Sequence, residues 1–168
     1  MTIEHFTGDE RWLSNFWLCD IDFEGVTYPS TEHAYMASKT LDPIERAAIL
    51  ACDTCAKARR LGQSVTLRPG WELPYVSYEG WSSDEGMIMP HPLKVEMMWR
   101  HVRKKFFRHE ELGDRLLATG DHHLVENSSR WNDRFWGVSN GHGQNNLGRV
   151  LMTVREELRT HRAAHRVG

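Results

Sequence analysis

The sequence predicts a mainly α-helical single domain with a few short strands and one long irregular insertion, and three observations predict it. Apolar residues recur at helical spacing in several segments, most clearly in the last, where Val150, Leu151, Val154 and Leu158 follow Leu147 on one face. Alternation of period two is confined to one short run near the start. Residues 66–92 hold four prolines, three glycines, two tryptophans and two tyrosines, a composition that breaks regular structure. With 40% apolar and 26% charged residues among 168, the chain can fill one ordinary core and lacks the composition of a disordered chain.

The elements follow in order. Ile21, Phe23, Val26 and Tyr28 alternate around Gly25, which predicts a short hairpin. A helical pattern begins after it and runs over residues 31–41, with Ser30 or Thr31 as its cap. The next start is clearer: Asp42 caps, Pro43 takes the first helical position, and Glu45 completes a capping box. Ile44, Ala47, Ala48, Ala51 and Cys55 would form the buried face of that helix, closed by Gly62. The excursion at 66–92 is too long for an ordinary connection, and reads either as a surface insertion or as a functional lid. Helix returns at Leu93–Arg108, with Met98, Val102 and Phe106 on one stripe and Arg100, Arg103 and Lys104 facing elsewhere. A short helix is expected at Gly113–Thr119, ended by Gly120. The last helix starts near Leu147, and residues 161–168 form a basic tail beyond a domain of residues 1–160.

Several function classes are excluded or disfavoured. A net charge of −2 gives no general attraction to nucleic acid, though a local basic patch could still hold a phosphate. No apolar stretch approaches the length that crosses a membrane, and the polar, acidic start is no secretory signal. Three cysteines, an odd number, suggest a reducing compartment, so the expectation is a cytoplasmic monomer or small oligomer. Cys52 and Cys55 form a CxxC without a second pair, and read as two small apolar residues on a helix. His161 and His165 sit in the tail, His122 and His123 are adjacent, and no HExxH occurs. Neither a metal nor a cofactor is expected, and no phosphate loop, nucleophile elbow or complete dinucleotide fingerprint is present.

Among the carboxylates, Glu32 falls in the first turn of a helix beside Thr31, His33 and Tyr35, and Asp133 lies between Trp131 and Trp136. Acids against aromatic rings lose hydration, which shifts their proton affinity and marks them as site candidates; a cap or ion pair is the plainer role. Lys105, beside Phe106, reads by itself as a solvated charge at a helix edge. Trp71, between Gly70 and Glu72, is either core or a platform for a planar ring. The stretch NDRFWGVSNGHGQNNLG, Asn132–Gly148, carries four glycines and four asparagines just ahead of the last helix.

The segments LSNFW (13–17), YPSTEHAYMASK (28–39), RPGW (68–71), KVEMMWRHVRKKF (94–106), LLATGDHHLVENS (116–128) and NDRFWGVSNGHGQNNLGRVLMTVREEL (132–158) follow one another in the order of the NADAR, or YbiA-like, family. The chain resembles that family over nearly its whole length. The resemblance implies a compact, mainly helical YbiA-like domain and N-glycosidase activity. Some members resemble enzymes that cleave ribose-phosphate from early riboflavin-pathway intermediates, and others remove ADP-ribose from guanine bases. It further implies catalytic roles for Glu32, Asp133 and Lys105, and pocket-lining roles for Trp71, Asn15, Trp136 and Asn145. The implied partner is a small nucleotide-like molecule or an ADP-ribosylated base in nucleic acid. In relatives a lysine matching Lys94 follows the tryptophan closely, whereas residues 72–93 intervene here, so Trp81 competes with Trp71 for the match. Relatives are richer in glycine after the WG pair, where Val138 and Ser139 stand, and Asn146 competes with Asn145.

The chemistry explains such a set. Breaking a sugar–nitrogen bond develops positive charge at the anomeric carbon, which a fixed carboxylate stabilises. Water must attack and the departing base gains from a proton. Glu32 and Asp133 would share these tasks, Lys105 would meet a sugar hydroxyl or a phosphate, Trp71 would stack on the base and Trp136 would exclude water. The glycines of the 132–148 stretch would let backbone N–H groups approach the substrate, and the start of the last helix would hold a phosphate. Two rivals stand beside this reading: a non-catalytic ADP-ribose or NAD-binding module, and an interaction protein using Trp71 and the excursion as its surface.

Overall fold

The computed structural model describes residues 1–73 and 92–165, and within them the period-two run near the start folds as a hairpin. After β1 (Thr2–Ile3) and a 3-10 turn at Gly8–Leu13, β2 (Leu18–Phe23) pairs antiparallel with β3 (Val26–Ser30). Phe23 stands opposite Val26, and Ile21 opposite Tyr28. Glu24 and Gly25 both take positive φ, 47° and 82°, as a two-residue hairpin turn requires. Burial of Ile21, Phe23 and Tyr28 fixes the register, because a slip of one residue would turn all three outward.

β3 runs directly into α1 (Thr31–Ala37), and the cap is Ser30, whose Oγ accepts the His33 N–H at 3.2 Å. The helix ends four residues short of the expected 41. The Ser38 hydroxyl donates to the Tyr35 carbonyl, and Lys39 and Thr40 turn their N–H groups back to Met36 and Ala37. α2 (Pro43–Leu50) starts as expected, with Asp42 accepting the Ile44 N–H at 2.7 Å. Glu45 does not close a capping box. Its carboxylate is taken by the Thr40 hydroxyl and by the Thr66 N–H at 2.9 Å, tying the chain after α3 back onto α2.

The single helix expected to reach Gly62 is instead two. α2 stops at Leu50, and α3 (Cys55–Leu61) restarts where the Thr54 hydroxyl accepts the Lys57 N–H. Local capping by Thr54 competes with helix continuation and wins. Of the expected apolar face only Cys55 is buried: Ile44 is 78% exposed and Ala47, Ala48 and Ala51 face solvent, while Ile49 and Ala58 point inward beside Cys55. Cys52 lies in the turn and Cys55 opens α3, so the CxxC straddles the break; all three cysteines are free.

α4 (Leu93–Arg108) matches its expected bounds and is the central element, packed on α1, α5, α6 and β2. Met98, Val102 and Phe106 are buried along it, as their spacing predicts. α5 (Glu110–Ala118) begins three residues before Gly113, which stands inside the helix for a steric reason. A Cβ there would lie 2.6 Å from the Phe106 carbonyl oxygen, so glycine lets α5 fold tightly back on α4. β4 (His123–Leu124) pairs parallel with β1. α6 (Asn146–His165) buries Val150, Leu151, Val154 and Leu158 and continues unbroken through the first five residues of the basic tail. No described helix is long and apolar enough to cross a membrane. Most of the excursion, residues 74–91 with Trp81 among them, lies outside the described residues.

Candidate active site

α1 supplies the floor. Glu32 is 6% exposed, and its carboxylate accepts no hydrogen bond from any described residue. Burial raises its pKa from 4.5 to about 7, against the opposing pull of Arg59 and Lys39. Its N–H is held by the Asn15 carbonyl at 3.0 Å, which places Asn15 directly against the acid's backbone. The Asn15 amide itself turns to the Met98 sulfur. Behind Glu32, His33 Nε2 bonds the Cys52 carbonyl at 3.1 Å and its Nδ1 faces the Ser30 hydroxyl at 2.7 Å. Ser30 also accepts from the Cys55 thiol at 3.3 Å, so the start of α1 is locked to the α2–α3 turn.

One turn along α1, Tyr35 carries the aromatic part of the site. Trp71 packs on it at 5.5 Å and 48°, and Trp136 meets it edge-on at 5.6 Å and 86°. Burial, reinforced by Glu32, Glu72 and Asp133, holds the Tyr35 phenol well above its ordinary value of 10. Three acids from separate parts of the chain therefore lie close enough to one buried phenol for their charges to act on it. Trp71 is 3% exposed and belongs to the core, whereas Trp136 is half-buried and also packs on Phe135 at 4.9 Å. Lys94 Nζ lies 4.5 Å over Phe135 and 3.6 Å from Glu72, so the lysine returns beside Trp71 despite the intervening span.

Asp133 is oriented by the chain that follows it: its Oδ1 accepts the N–H groups of Phe135 at 2.9 Å and Trp136 at 2.8 Å. The rest of the polar stretch does not behave as expected. The N–H groups of Gln144, Asn145, Asn146 and Leu147 donate to the carbonyls of Arg134, Gly137, Phe135 and Trp136. Two N–H groups at the start of α6, those of Asn146 and Leu147, are thus already taken from within, which removes most of the expected phosphate site there. Gly137 and Gly148 serve close packing of the chain: a Cβ at Gly137 would lie 2.5 Å from the Glu126 carbonyl oxygen, and one at Gly148 would lie 2.1 Å from that of Leu124. Asn132, Asn140 and Asn145 take φ of 52°, 51° and 52°, the left-handed conformation that asparagine tolerates best among ordinary residues. The Asn145 amide donates to the Leu124 carbonyl at 2.9 Å and accepts the Glu126 N–H at 3.1 Å, while Asn146 donates to Phe135. Asn145 therefore fastens the chain at 124–126 onto α6. Gly148→Ala is expected to destabilise the fold by about 2 kcal/mol, read as a lower urea midpoint with an unchanged slope, because backbone oxygen has nowhere to move.

Lys105 departs furthest from a solvated helix edge. It is 1% exposed, its Nζ donates to the Ser14 carbonyl at 2.9 Å, and burial lowers its pKa to about 8 against the pull of Cys19. It lies behind the pocket wall, holding the residue before Asn15. Three residues escaped the sequence reading. Tyr35 lies three positions after Glu32 and so shares its face. Glu126 is half-buried, and burial, with Asp133 adding to it and Arg59 opposing, raises its pKa to about 7. Arg59 is half-buried on α3. The LVENS motif contains Glu126, but nothing local distinguishes Arg59. A separate cleft of about 200 Å³ lies beyond Phe135, between α4 and α6, lined by Trp99, Glu96, Gln144 and Arg149 among others. It contains neither Glu32 nor Asp133.

Fold and side-chain placement together define a helical domain in which Trp71 and Trp136 pack on the buried Tyr35 ring and the charges of Glu32, Glu72 and Asp133 act on it. The chain belongs to the NADAR domain family, whose model matches residues 4–159. It is similar to N-glycosidase YbiA of Shigella boydii serotype 4, 36% identical over 149 residues that span 87% of this chain and 80% of that one. It is likewise similar to N-glycosidase Npun_R5314 of Nostoc punctiforme, 36% identical over 153 residues, 88% of this chain and 85% of that one. Riboflavin biosynthesis protein VVA0006 of Vibrio vulnificus is 38% identical over 151 residues, covering 89% of this chain but only 36% of that protein's length. The NMR structure of the Escherichia coli protein YbiA superposes with a TM-score of 0.75 at 33% identity, over 96% of this chain and 88% of that one.

Proposed function

We propose that this hydrolase of N-glycosyl bonds cleaves a ribose–base bond in a phosphoribosyl or ADP-ribosyl substrate, a riboflavin-pathway intermediate or an ADP-ribosylated guanine. The observation that carries the reading is the convergence of Glu32 and Asp133, about a hundred residues apart in sequence, on the buried ring of Tyr35 between Trp71 and Trp136. In this mechanism the bond from C1′ to the base nitrogen breaks, its electron pair leaves with the base, and water adds to C1′. Asp133, oriented by two N–H groups, presents fixed negative charge to the oxocarbenium-like centre. Glu32, whose pKa of about 7 lets it hold or release a proton near neutrality, exchanges the proton with the base or the attacking water. Lys105 holds the Ser14–Asn15 segment behind Glu32 and so acts as a positioning residue.

The base would lie against Trp136, the more accessible of the two tryptophans, with Trp71 keeping Tyr35 in place. Loss of one stacking contact is worth about 1–3 kcal/mol. Trp136→Ala is therefore expected to raise KM by about 5–150-fold with a smaller change in kcat, read by steady-state kinetics; an unchanged KM removes Trp136 from the base site. The reading as a whole is tested by incubating the protein with a panel of N-ribosides and following products by mass. Free base together with ribose-phosphate or ADP-ribose is the expected result. Saturable binding of ADP-ribose or NAD with no turnover across the panel would instead make the protein a binding module.

A further inference from the structure

A substrate of this class carries phosphate, and several donors that could hold it are engaged elsewhere. Lys105 is enclosed and bonded to Ser14, Lys39 Nζ donates to the Gly62 carbonyl, and the N–H groups of Asn146 and Leu147 at the start of α6 donate to Phe135 and Trp136. Among the described lysines and arginines, those with neither a hydrogen bond nor an ion pair are Arg11, Arg60, Arg130, Arg134, Arg149 and Arg59. The first five are exposed; Arg59 alone is half-buried.

Its position is fixed at both ends of α3. Cys55 bonds Ser30 at 3.3 Å, and Gly62 packs so closely on Met36 that a Cβ would lie 2.4 Å from the sulfur. Ala58 is fully buried between them, so α3 lies firmly along α1. Arg59 stands one turn after Cys55 and one before Gly62, on the stripe of α3 that faces α1, and its charge is felt by Glu32 of α1 and by Glu126 beyond β4. A guanidinium with no hydrogen-bonding partner among the described residues is available to a ligand, and is the group best shaped to meet two oxygens of one phosphate in parallel.

We propose that Arg59 anchors the anionic group of the substrate, a phosphate monoester or diphosphate attached to the sugar whose N-glycosidic bond faces Glu32. This rests on the N-glycosidase reading, and it assigns the charged end of the substrate to α3 and the base to the Trp136 side. A monoester would come from a phosphoribosyl compound and a diphosphate from an ADP-ribosyl one; the recognition chemistry is shared.

The test uses the full chain with Arg59→Gln and Arg59→Lys, each first checked for an unchanged thermal midpoint. Ribose 5-phosphate, ADP-ribose and plain ribose are titrated by calorimetry, so that the first two arms separate monoester from diphosphate. The wild type is expected to bind at least one phosphorylated compound and not ribose. Arg59→Gln should weaken that binding by about 30–100-fold, and Arg59→Lys should recover part of it. With a phosphorylated N-riboside and its dephosphorylated counterpart, Arg59→Gln should raise KM for the first alone, while any change in kcat from the charge lost near Glu32 is equal on both. Equal binding of the phosphorylated compounds by wild type and Arg59→Gln overturns the proposal, as does wild-type binding of neither. An equal rise in KM on both substrates also overturns it. If no N-riboside is turned over by the wild type, the catalytic reading fails while the titrations still decide the role of Arg59.

Discussion

Glu32→Gln is expected to lower turnover of an N-riboside by about 10²–10⁴-fold and, in the same protein, to raise the thermal midpoint above pH 7. The two effects have one cause. Glu32 is buried to 6% exposure without a hydrogen-bonding partner among the described residues, and its pKa is raised from 4.5 to about 7. A carboxyl raised in the folded state contributes no penalty below pH 4.5, where both states are protonated. Its penalty grows as pH rises from 4.5 and is complete above about 7, where it amounts to roughly 3 kcal/mol. Glutamine cannot ionise and escapes that penalty, though its amide needs partners of its own. A gain of one or two kcal/mol corresponds to about 2–8 °C in a protein of this size. The gain should vanish at pH 4.5. Thermal melts at pH 4.5 and 8, run beside the product assay, decide the matter. Wild-type turnover in the variant removes Glu32 from the chemistry, and an equal shift in midpoint at both pH values removes the buried-carboxylate explanation. Asp133→Asn should share the loss of turnover.

α4 and α6 are legible in the sequence because each sets apolar residues at helical spacing over many turns, so the bland pattern and the tertiary demand agree. The α2–α3 break is not, because Ile44, Ala47, Ala48 and Ala51 offer a continuous stripe while the signal that wins is a single threonine hydroxyl at Thr54. The glycines of the 132–148 stretch are ambiguous for a related reason. A glycine marks either an unusual dihedral or a close approach, and at Gly137 and Gly148 it is the approach of a carbonyl from the 124–126 segment that matters. No local pattern encodes such a neighbour.

The candidate site divides along the same line. Glu32 is readable as an acid set into an apolar helical turn, and Tyr35 follows it on the same face. Lys105 reads locally as a surface charge; only the packing of α4 against the hairpin and α1 turns its Nζ inward to Ser14. Arg59 and Glu126 influence each other across elements that lie far apart in the chain, and each looks ordinary in its own segment. Sequence spacing identifies side chains that share an element, whereas the charges that tune Glu32 come from α3 and from the turn after α1.

His101→Phe is expected to stabilise the protein, and to do so increasingly as the solution is acidified. His101 is fully buried on α4, edge-on to Phe23 at 5.0 Å and 85°, and neither ring nitrogen has a hydrogen-bond partner among the described residues. Burial, helped by Lys104 and Arg100, lowers its pKa from 6.5 to about 3. The folded protein therefore keeps the ring neutral while the unfolded chain takes up a proton below pH 6.5. Stability is lost as pH falls from 6.5 toward 3, at about 1.4 kcal/mol per pH unit, which reaches roughly 3 kcal/mol at pH 4. Glu32 and Glu126 titrate with the opposite sign across part of this range, so the wild-type curve alone does not isolate the histidine. The difference between wild type and His101→Phe does, because both proteins carry the same acids. Phenylalanine keeps the edge contact with Phe23 and removes two unpartnered polar atoms. Urea unfolding at pH 4, 5, 6 and 7.5 should show a gap between the two proteins that widens steadily below pH 6.5, with turnover unchanged. Parallel curves would mean that His101 finds a partner when protonated, and that its burial is not the source of acid sensitivity.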